Sequence, residues 1–510
     1  MRPRWLRVLF RRRVWTILLL VLQVWFFVNL IVGGSQLSRR FSGILTVISV
    51  VAVLYIVSKK DKGAYKTAWA ILILTVPLFG GLLYLLFHLQ TSTRRFSKDV
   101  LHAQRKAEVE YSAAGDDYAA AAEALPEHLP QIRYLQEYAG FPIYADTETH
   151  YLTPGERKLE ALLRELRKAE RYIFLEYFII QPGVFWNSVL EILEEKAAQG
   201  VEVRLIYDDM GCMFTLPRDY NEQMAARGIQ CRVFNRFVPV MSLRFNNRDH
   251  RKFLIIDGKV GFTGGINLAD EYINRRERFG HWKDSAILLE GDAVWSMTVM
   301  FLTMWDHCCG WEEEFHHFRP EPAPARPWTG YVQPYTDTPL DREAVGQAVY
   351  LNMIGKARKY IYITTPYLVI DVATNTALCN AAKSGVDVRI ITPHIPDKRY
   401  VFEVTRAHYP PLLEAGVRIY EYTPGFIHAK NFVVDDRFAT VGTVNLDYRS
   451  LFLHFEDGVW LCEAPCIQDI RRDIEETLRV CQRISLRQRK YFNPIIQLYR
   501  NILRIFAPLM

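Results

Sequence analysis

The chain has 510 residues, of which 50% are hydrophobic, 23% charged and 13% aromatic, and this composition excludes an intrinsically disordered or collagen-like protein. Its 63 basic and 56 acidic residues leave a net charge of +7, which is too balanced for a protein that coats nucleic acid over its whole surface. The eight cysteines include no CxxC pair, so neither a disulfide-dense framework nor a zinc ribbon is expected.

Three apolar runs near the start of the chain predict a membrane region over residues 1–93. Because a membrane-spanning helix needs roughly 20 apolar residues, the runs 14–32 and 68–89 are long enough, whereas the run 42–58 is marginal. A cleaved signal peptide is a poorer interpretation of the first run, since further hydrophobic segments follow it. The sequence therefore predicts a multi-pass protein of the cell membrane.

The distribution of basic residues leaves two orientations open. Six arginines precede residue 14 and four lysines lie between residues 59 and 66, and the positive-inside rule places both groups in the cytoplasm. If all three runs span, the C-terminal part lies outside the cell. If the run 42–58 does not span, the C-terminal part is cytoplasmic, and cysteines without a disulfide framework fit that alternative better.

A charged, alanine-rich stretch over residues 94–136 predicts a helical linker, and strands alternate with helices after it. Strands are expected over 171–180 and 201–207, with a helix over 155–170 before the first of them.

The same order returns later in the chain, with strands expected over 359–363 and 385–391. Equivalent residues lie 185 to 188 positions apart, which is too long for a solenoid repeat and indicates two copies of one α/β unit. We expect the first copy over 137–325 and the second over 326–510, with the proline-rich stretch 320–327 at the junction.

The repeat is sharpest in two segments that share His, Lys, Asp, Gly and Asn at relative positions 0, 2, 7, 14 and 17. These residues are His250, Lys252, Asp257, Gly264 and Asn267 in the first copy, and His428, Lys430, Asp435, Gly442 and Asn445 in the second. One HxKxxxxD pattern is a weak signal, but five matched positions inside a duplicated unit are highly specific.

The spacing indicates what each residue type does. His and Lys two positions apart on a strand point to one face, and Asp257 and Asp435 fall at a hairpin turn, so the aspartates are expected to be more structural than catalytic. The glycines allow close backbone approach, and Asn267 and Asn445 bring amide donors to the end of the return strand. Two such patches facing each other suit a phosphate, which lysines bind and a histidine can attack.

These features closely resemble the phospholipase D superfamily with its paired HxKxxxxD motifs, and within it the bacterial cardiolipin synthases. The closer resemblance rests on the segments Trp282-Lys-Asp, Gly442-Thr-Val-Asn-Leu-Asp-Tyr-Arg-Ser and Phe455-Glu, together with the N-terminal hydrophobic segments.

The resemblance implies an α/β fold in which duplicated phospholipase D-type α-β-α halves pack around one shared active site, preceded by N-terminal transmembrane helices. It also implies transfer of a phosphatidyl group between two phosphatidylglycerol molecules through a phosphohistidine, which yields cardiolipin and glycerol. His250 is the implied nucleophile and His428 the acid and base, although the near-symmetry leaves the reverse assignment open. Asp284 and Glu456 are candidates to orient the imidazoles, and neither a cofactor nor a metal is expected, because lysines supply the positive charge.

Two other activities share this core. A phospholipase D-type hydrolase would use water as acceptor, and a membrane-anchored phosphodiesterase or nuclease would use nucleic acid as donor. The apolar runs and the lack of an extended basic patch disfavour the nuclease, so phosphatidylglycerol and membrane phospholipids, not nucleic acid, are the expected partners.

Two further segments have competing interpretations. His307, Cys308 and Cys309, with His316 and His317, could be taken for a zinc cluster, but their spacing matches no standard finger and a helix end is favoured. The basic stretch 472–500 and the apolar residues after it predict either a solvated helix face or a helix on the membrane surface.

Overall fold

The structure is a computed structural model, and it describes residues 36–59, 63–76, 80–81, 84, 91–112, 117–236, 246–310, 312–321, 330–341, 343–488 and 493–509. These residues divide into two compact units. One unit comprises the described residues within 97–236 and 247–500, and the other those within 1–96, 237–246 and 501–510.

The smaller unit contains the helices α1 (Gln36–Ser58) and α2 (Gly63–Thr75). Ile56 of α1 packs with Trp69 and Ile73 of α2 and with Tyr84, whose ring meets that of Trp69 edge to face at 5.3 Å. Within the ranges given above, no helix combines the length and the apolar character required to cross a membrane. The predicted run 42–58 lies in α1, the run 14–32 lies outside the described residues, and the run 68–89 is described only in part.

The described residues of the predicted linker 94–136 are mainly helical. They form α3 (Thr91–Ser112), α4 (Tyr118–Ala124) and α5 (Leu129–Arg133), and α5 continues into a π-helical turn over Tyr134–Tyr138.

The described residues of the first copy of the α/β unit form eight strands and four α-helices. Its strands are β1 (Thr147–Leu152), β2 (Tyr172–Tyr177), β3 (Glu202–Asp208), β4 (Gln230–Phe234), β5 (Lys252–Ile256), β6 (Val260–Gly264), β7 (His281–Lys283) and β8 (Ala286–Gly291). Its helices are α6 (Gly155–Leu166), α7 (Val184–Ala198), α8 (Tyr220–Ala225) and α9 (Val294–Cys309). All strands except β7 form one sheet in the order β1-β8-β6-β5-β2-β3-β4.

The second copy follows the same plan. Its strands are β9 (Tyr331–Asp337), β10 (Tyr360–Thr364), β11 (Leu368–Val369), β12 (Asp387–Pro393), β13 (Arg418–Tyr422), β14 (Gly425–Ile427), β15 (Asn431–Val434), β16 (Phe438–Gly442), β17 (Leu446–Asp447), β18 (Glu456–Cys462) and β19 (Cys481–Arg483). The helices of this part are α10 (Val345–Lys356), α11 (Val372–Lys383), α12 (Arg399–Ala407), α13 (Tyr409–Glu414), α14 (Tyr448–Phe452), α15 (Cys466–Arg479) and α16 (Pro494–Phe506). Short 3₁₀ helices cover Asp270–Ile273, Phe315–Phe318 and Ala507–Leu509.

The two sheets have matching topologies, which confirms the predicted duplication. The second sheet has the order β19-β13-β12-β10-β15-β16-β18-β9, so β10, β12 and β13 correspond to β2, β3 and β4, and β19 is an addition at the edge. In both copies these three strands run parallel and the remaining pairs are antiparallel. Two short parallel pairs, β7 with β14 and β11 with β17, lie outside the large sheets.

Both faces of the central strands are covered, because helices pack on each side of the sheets. Every residue of β2 and of β18 is buried, as parallel and mixed sheets between helices require. On one face of the first sheet Ile173 and Leu175 join a core with α6 and α7. On the other face the ring of Phe174 stacks on Phe301 of α9 at 4.6 Å.

Backbone hydrogen bonds join the two copies next to the motif histidines. The N–H of His250 donates to the carbonyl of Phe455 at 2.9 Å, and the N–H of Phe455 donates to Arg248 at 2.8 Å. At the equivalent place the N–H of His428 donates to Lys283 at 2.7 Å, next to the β7–β14 pair. Each histidine therefore lies just before its strand, with its backbone N–H bonded to the opposite copy.

The turn between β5 and β6 confirms the predicted hairpin. Asp257 adopts the left-handed conformation, with φ 53°, and its carboxylate accepts the N–H groups of Glu170, Arg171 and Tyr172, each at 2.8 Å. This side chain ties the turn to the start of β2, and Asp435 holds the start of β10 in the same way.

We predict that Asp257→Ala lowers the free energy of unfolding by on the order of 3 kcal/mol, because three backbone N–H groups lose their acceptor. Urea denaturation measures this difference. The matched control is Asp219→Ala, which removes an exposed carboxylate that makes no capping hydrogen bond at the start of α8. Equal stability of the two variants would contradict the tie between turn and strand.

Candidate active site

The two His–Lys pairs occupy equivalent places at the N-terminal ends of β5 and β15. His250 precedes β5, Lys252 begins it, and His428 and Lys430 stand in the same relation to β15, one residue earlier. All four residues are buried, but each histidine side chain keeps 10% of its surface exposed. Lys252 Nζ donates to the carbonyl of His250 at 2.5 Å, and Lys430 Nζ lies 2.9 Å from His428 Nδ1.

Each imidazole is bound by a carboxylate from the opposite copy. His250 Nδ1 lies 2.9 Å from Glu456 Oε2, and His428 Nδ1 lies 2.7 Å from Asp284 Oδ2. The two acids are equivalent in register, because β6 pairs Gly264 with Ala286 and β16 pairs Gly442 with Gly458. Neither copy holds a complete histidine–carboxylate pair, so both are needed to build the site.

The second oxygen of each carboxylate is also fixed by a hydrogen bond. Glu456 Oε1 accepts the hydroxyl of Ser450 at 2.6 Å, and Asp284 Oδ1 accepts the backbone N–H of Ser285 at 2.8 Å. With each Nδ1 held by a carboxylate, Nε2 is the nitrogen available for chemistry, and Nε2 of His428 lies 3.1 Å from Lys430 Nζ.

The electrostatics of the site favour neutral histidines when no anion is bound. Burial and then Lys430 lower the pKa of His428 to about 4, although Asp284 acts in the opposite direction. Burial, Lys252 and Lys430 hold the pKa of His250 well below its ordinary value. Burial lowers the pKa of Lys430 to about 7 and that of Lys252 to about 8.

These effects extend across the two copies, which shows that they share one electrostatic site. Lys430 of the second copy lowers the pKa of His250 in the first, and Lys252 lowers the pKa of His428 in the second. Because burial lowers the pKa of these lysines and histidines, a bound phosphate would stabilise the charged forms of all four side chains.

The remaining motif residues lie in supporting positions. The carboxylate of Asp435 accepts backbone N–H groups at the start of β10, as Asp257 does for β2, so the structure places neither aspartate against a histidine. Asn267 accepts the N–H of Ile179 at 3.0 Å and donates to the hydroxyl of Tyr272 at 2.7 Å, so its amide is already occupied. The buried Oδ1 of Asn445 has no hydrogen-bond partner within the described part of the chain.

Aromatic rings surround the two histidines. The Phe178 ring lies 5.1 Å from that of His250, and the rings of Tyr272 and Trp282 lie 5.6 Å and 5.3 Å from that of His428. These apolar walls strengthen charge interactions inside the site, because they exclude water.

Sequence reasoning missed three further residues. Ser450 lies within a segment that was recognised, but its bond to Glu456 could not be read from it. His454 precedes Glu456 by two residues and its ring lies 5.6 Å from that of His250. Lys158 of α6 is buried, donates to the carbonyl of Ile266 at 3.0 Å, and has its pKa lowered to about 7 by burial, and no pattern in the sequence marked it.

The residues considered above as a zinc cluster do not lie together as one group. His316 and His317 form an exposed group with Glu314, and among the described residues neither His307 nor the adjacent cysteines belong to it. All eight cysteines of the chain are free thiols.

Comparison with known proteins identifies the class. A family model described as "Cardiolipin synthase, PLD-like domain" matches residues 162–290 and again 350–478, one match on each copy. A second model, described as "Phospholipase D-nuclease N-terminal", matches residues 44–87. The fold is similar to that of a phosphatidylserine synthase from Haemophilus influenzae, with a TM-score of 0.55 and 15% identity over 72% of this chain and 96% of that one. Fold and site together define a phospholipase D-like protein.

Sequence relatives narrow this class to a family. An uncharacterized protein of Streptococcus mutans is 43% identical, over 90% of this chain and 99% of its own length. A cardiolipin synthase of Geobacillus kaustophilus is 33% identical, over 93% of this chain and 95% of its own. The chain belongs to the cardiolipin synthase family and is an enzyme of that family.

The low pKa of His428 predicts a loss of stability in acid. Because the pKa falls from its ordinary 6.5 to about 4 on folding, the unfolded chain binds the proton in that window and the free energy of unfolding decreases as the pH drops through it. Urea denaturation should show that His428→Asn loses on the order of 2 kcal/mol less than the parent between about pH 7 and about pH 5.

The control is His316→Asn, which alters an exposed histidine and should keep the pH dependence of the parent. An unchanged pH dependence in His428→Asn would contradict the neutral buried imidazole.

Proposed function

We propose that the protein is a membrane-attached phosphatidyltransferase that makes cardiolipin and glycerol from two phosphatidylglycerol molecules. The observation that carries the proposal is the pair of buried imidazoles, each held through Nδ1 by a carboxylate of the opposite copy and flanked by a lysine. This arrangement provides one nucleophile, one proton carrier and the positive charge that a phosphodiester needs.

In the first step His250 Nε2 attacks phosphorus of the donor phosphatidylglycerol. The N–P bond forms as the bond from phosphorus to the glycerol oxygen breaks, and His428 gives its Nε2 proton to that oxygen. The anionic donor raises the pKa of His428, because a negative charge nearby favours the imidazolium, so donor binding prepares the acid. Lys252 and Lys430 stabilise the charge on the phosphoryl oxygens.

In the second step the neutral His428 takes the proton from a hydroxyl of a second phosphatidylglycerol. That oxygen attacks phosphorus, the N–P bond breaks, and cardiolipin leaves with His250 restored. Glu456 and Asp284 are positioning residues in both steps, since each fixes the ring and the tautomer of one histidine.

Exposed apolar surface supports attachment to a membrane. The helix α16 exposes Ile495, Leu498, Tyr499, Ile502 and Ile505, which recur every three or four residues and so lie on one face. Helix α1 also exposes a run of large apolar side chains. Such faces bind the boundary between lipid headgroups and acyl chains, where the substrates are located.

A lipid mass balance tests the function. We predict that the purified chain, incubated with phosphatidylglycerol in mixed micelles, forms cardiolipin and free glycerol in equal amounts. His250→Asn and His428→Asn should each lower this rate by at least about a hundredfold, because each histidine takes part in proton transfer or attack. The control is His316→Asn on the surface, which should retain the parent rate.

Phosphatidic acid without cardiolipin would mean that water is the acceptor, and the proposal would give way to a hydrolase. Near-normal turnover in either histidine variant would contradict the two-histidine mechanism.

A further inference from the structure

The two halves of the site differ at the positions two residues before the carboxylates. The register that equates Asp284 with Glu456 also equates Trp282 with His454. The Trp282 ring lies 5.3 Å from that of His428, and the His454 ring lies 5.6 Å from that of His250. An imidazole therefore stands beside one reactive histidine where an indole stands beside the other.

A hydrogen bond from Arg449 fixes the tautomer of His454. Arg449 Nε–H donates to His454 Nε2 at 3.3 Å, so this nitrogen carries a lone pair and the proton of the neutral ring is on Nδ1. His454 Nδ1 is buried, lies 3.6 Å from Glu456 Oε1, and has no hydrogen-bond partner among the described residues. Its N–H is therefore available to the carboxylate that holds His250.

The donors around the two carboxylates are distributed differently. Glu456 Oε1 accepts from Ser450 and faces His454, so the additional donors lie on the oxygen that His250 does not use. Asp284 Oδ2, in contrast, is shared by His428 and the indole N–H of Trp282, which lies 3.5 Å away.

We propose that His454 is a positioning residue that makes His250 the nucleophile, by holding its Nδ1–H 3.6 Å from Glu456 and so weakening the stabilisation of a protonated His250. This inference rests on the proposed function. A carboxylate that receives more donors attracts a proton on its partner less strongly, so His250 keeps the Nε2 lone pair that attacks phosphorus. Asp284 has the non-ionisable indole of Trp282 at the equivalent place, with its N–H 3.5 Å away, and it supports the protonated His428 that the leaving glycerol requires.

The pKa shifts of the two histidines agree with His250 as nucleophile and His428 as acid. Asp284 counteracts the effects that lower the pKa of His428, which comes to about 4, while burial and two lysines dominate at His250. The charged and titratable groups that act on His454 itself are Glu456, Arg449 and His250.

The test uses a phosphatidyl donor whose leaving group is p-nitrophenol, which departs without a proton from His428. Release of p-nitrophenol in the first turnover then reports attack by His250 alone. We expect His454→Phe to move the acid limb of the pH–rate profile of this burst to higher pH, since Glu456 then favours protonated His250 more strongly. The burst should therefore slow on the order of tenfold at pH values below that limb. His454→Gln keeps an N–H donor and should recover most of the burst rate.

The matched variant in the first half is Trp282→Phe, which removes the indole N–H beside His428. Its effect should fall on transfer to the acceptor and not on the burst.

An unchanged burst rate and acid limb in His454→Phe would overturn the inference. Equal slowing in His454→Phe and His454→Gln without a shift of the acid limb would also overturn it, since that pattern marks a merely structural role. A chain that shows the burst and the shift but makes no cardiolipin would refute the proposed function and leave the role of His454 standing.

Discussion

The exchange of carboxylates between the two copies is the interaction on which the rest of the site depends. His250 is oriented by Glu456 and His428 by Asp284, and backbone bonds to Phe455 and Lys283 hold each histidine beside the acid that it uses. Since neither copy can orient its own imidazole, the duplicated unit works only as a pair. This constraint explains why the strands around both motifs keep the same register, while β19 is an addition at the outer edge of one sheet.

Charge imposes the second constraint. Two lysines and two histidines are buried together with two carboxylates, and burial depresses the pKa of Lys252, Lys430 and both histidines. A further negative charge beside these four groups would raise their pKa values again. A phosphodiester supplies that charge, and its arrival changes the protonation state on which proton transfer depends. In the proposed mechanism, substrate binding and acid–base chemistry are thus coupled through the same four side chains.

Much of this arrangement could be predicted from residue spacing. The repeated His, Lys, Asp, Gly and Asn positions indicated two equivalent hairpins, because spacing on a strand determines which residues share a face. Turn chemistry also explained why Asp257 and Asp435 bond to backbone.

Contacts between the copies could not be predicted, since spacing within one segment does not reveal which distant residue approaches it. The exchange of Asp284 and Glu456 belongs to this group. The occupied amide of Asn267 was hidden for a related reason, because its partner Ile179 is distant in sequence although it lies in the same copy. The same holds for Lys158, which looks like an ordinary helix residue until the fold buries it against Ile266.

The exchange of carboxylates can be tested most directly by pairing variants in the p-nitrophenyl donor assay. The account predicts that Glu456→Gln reproduces the defect of His250→Asn, a slow burst, and that Asp284→Asn reproduces that of His428→Asn, a normal burst with slow transfer to the acceptor. Each carboxylate variant should match the variant of the histidine that it contacts, whichever histidine attacks, because this expectation follows from the two histidine–carboxylate contacts alone. If Glu456→Gln instead matched His428→Asn, and Asp284→Asn matched His250→Asn, each acid would serve its own copy and the shared site described here would be wrong.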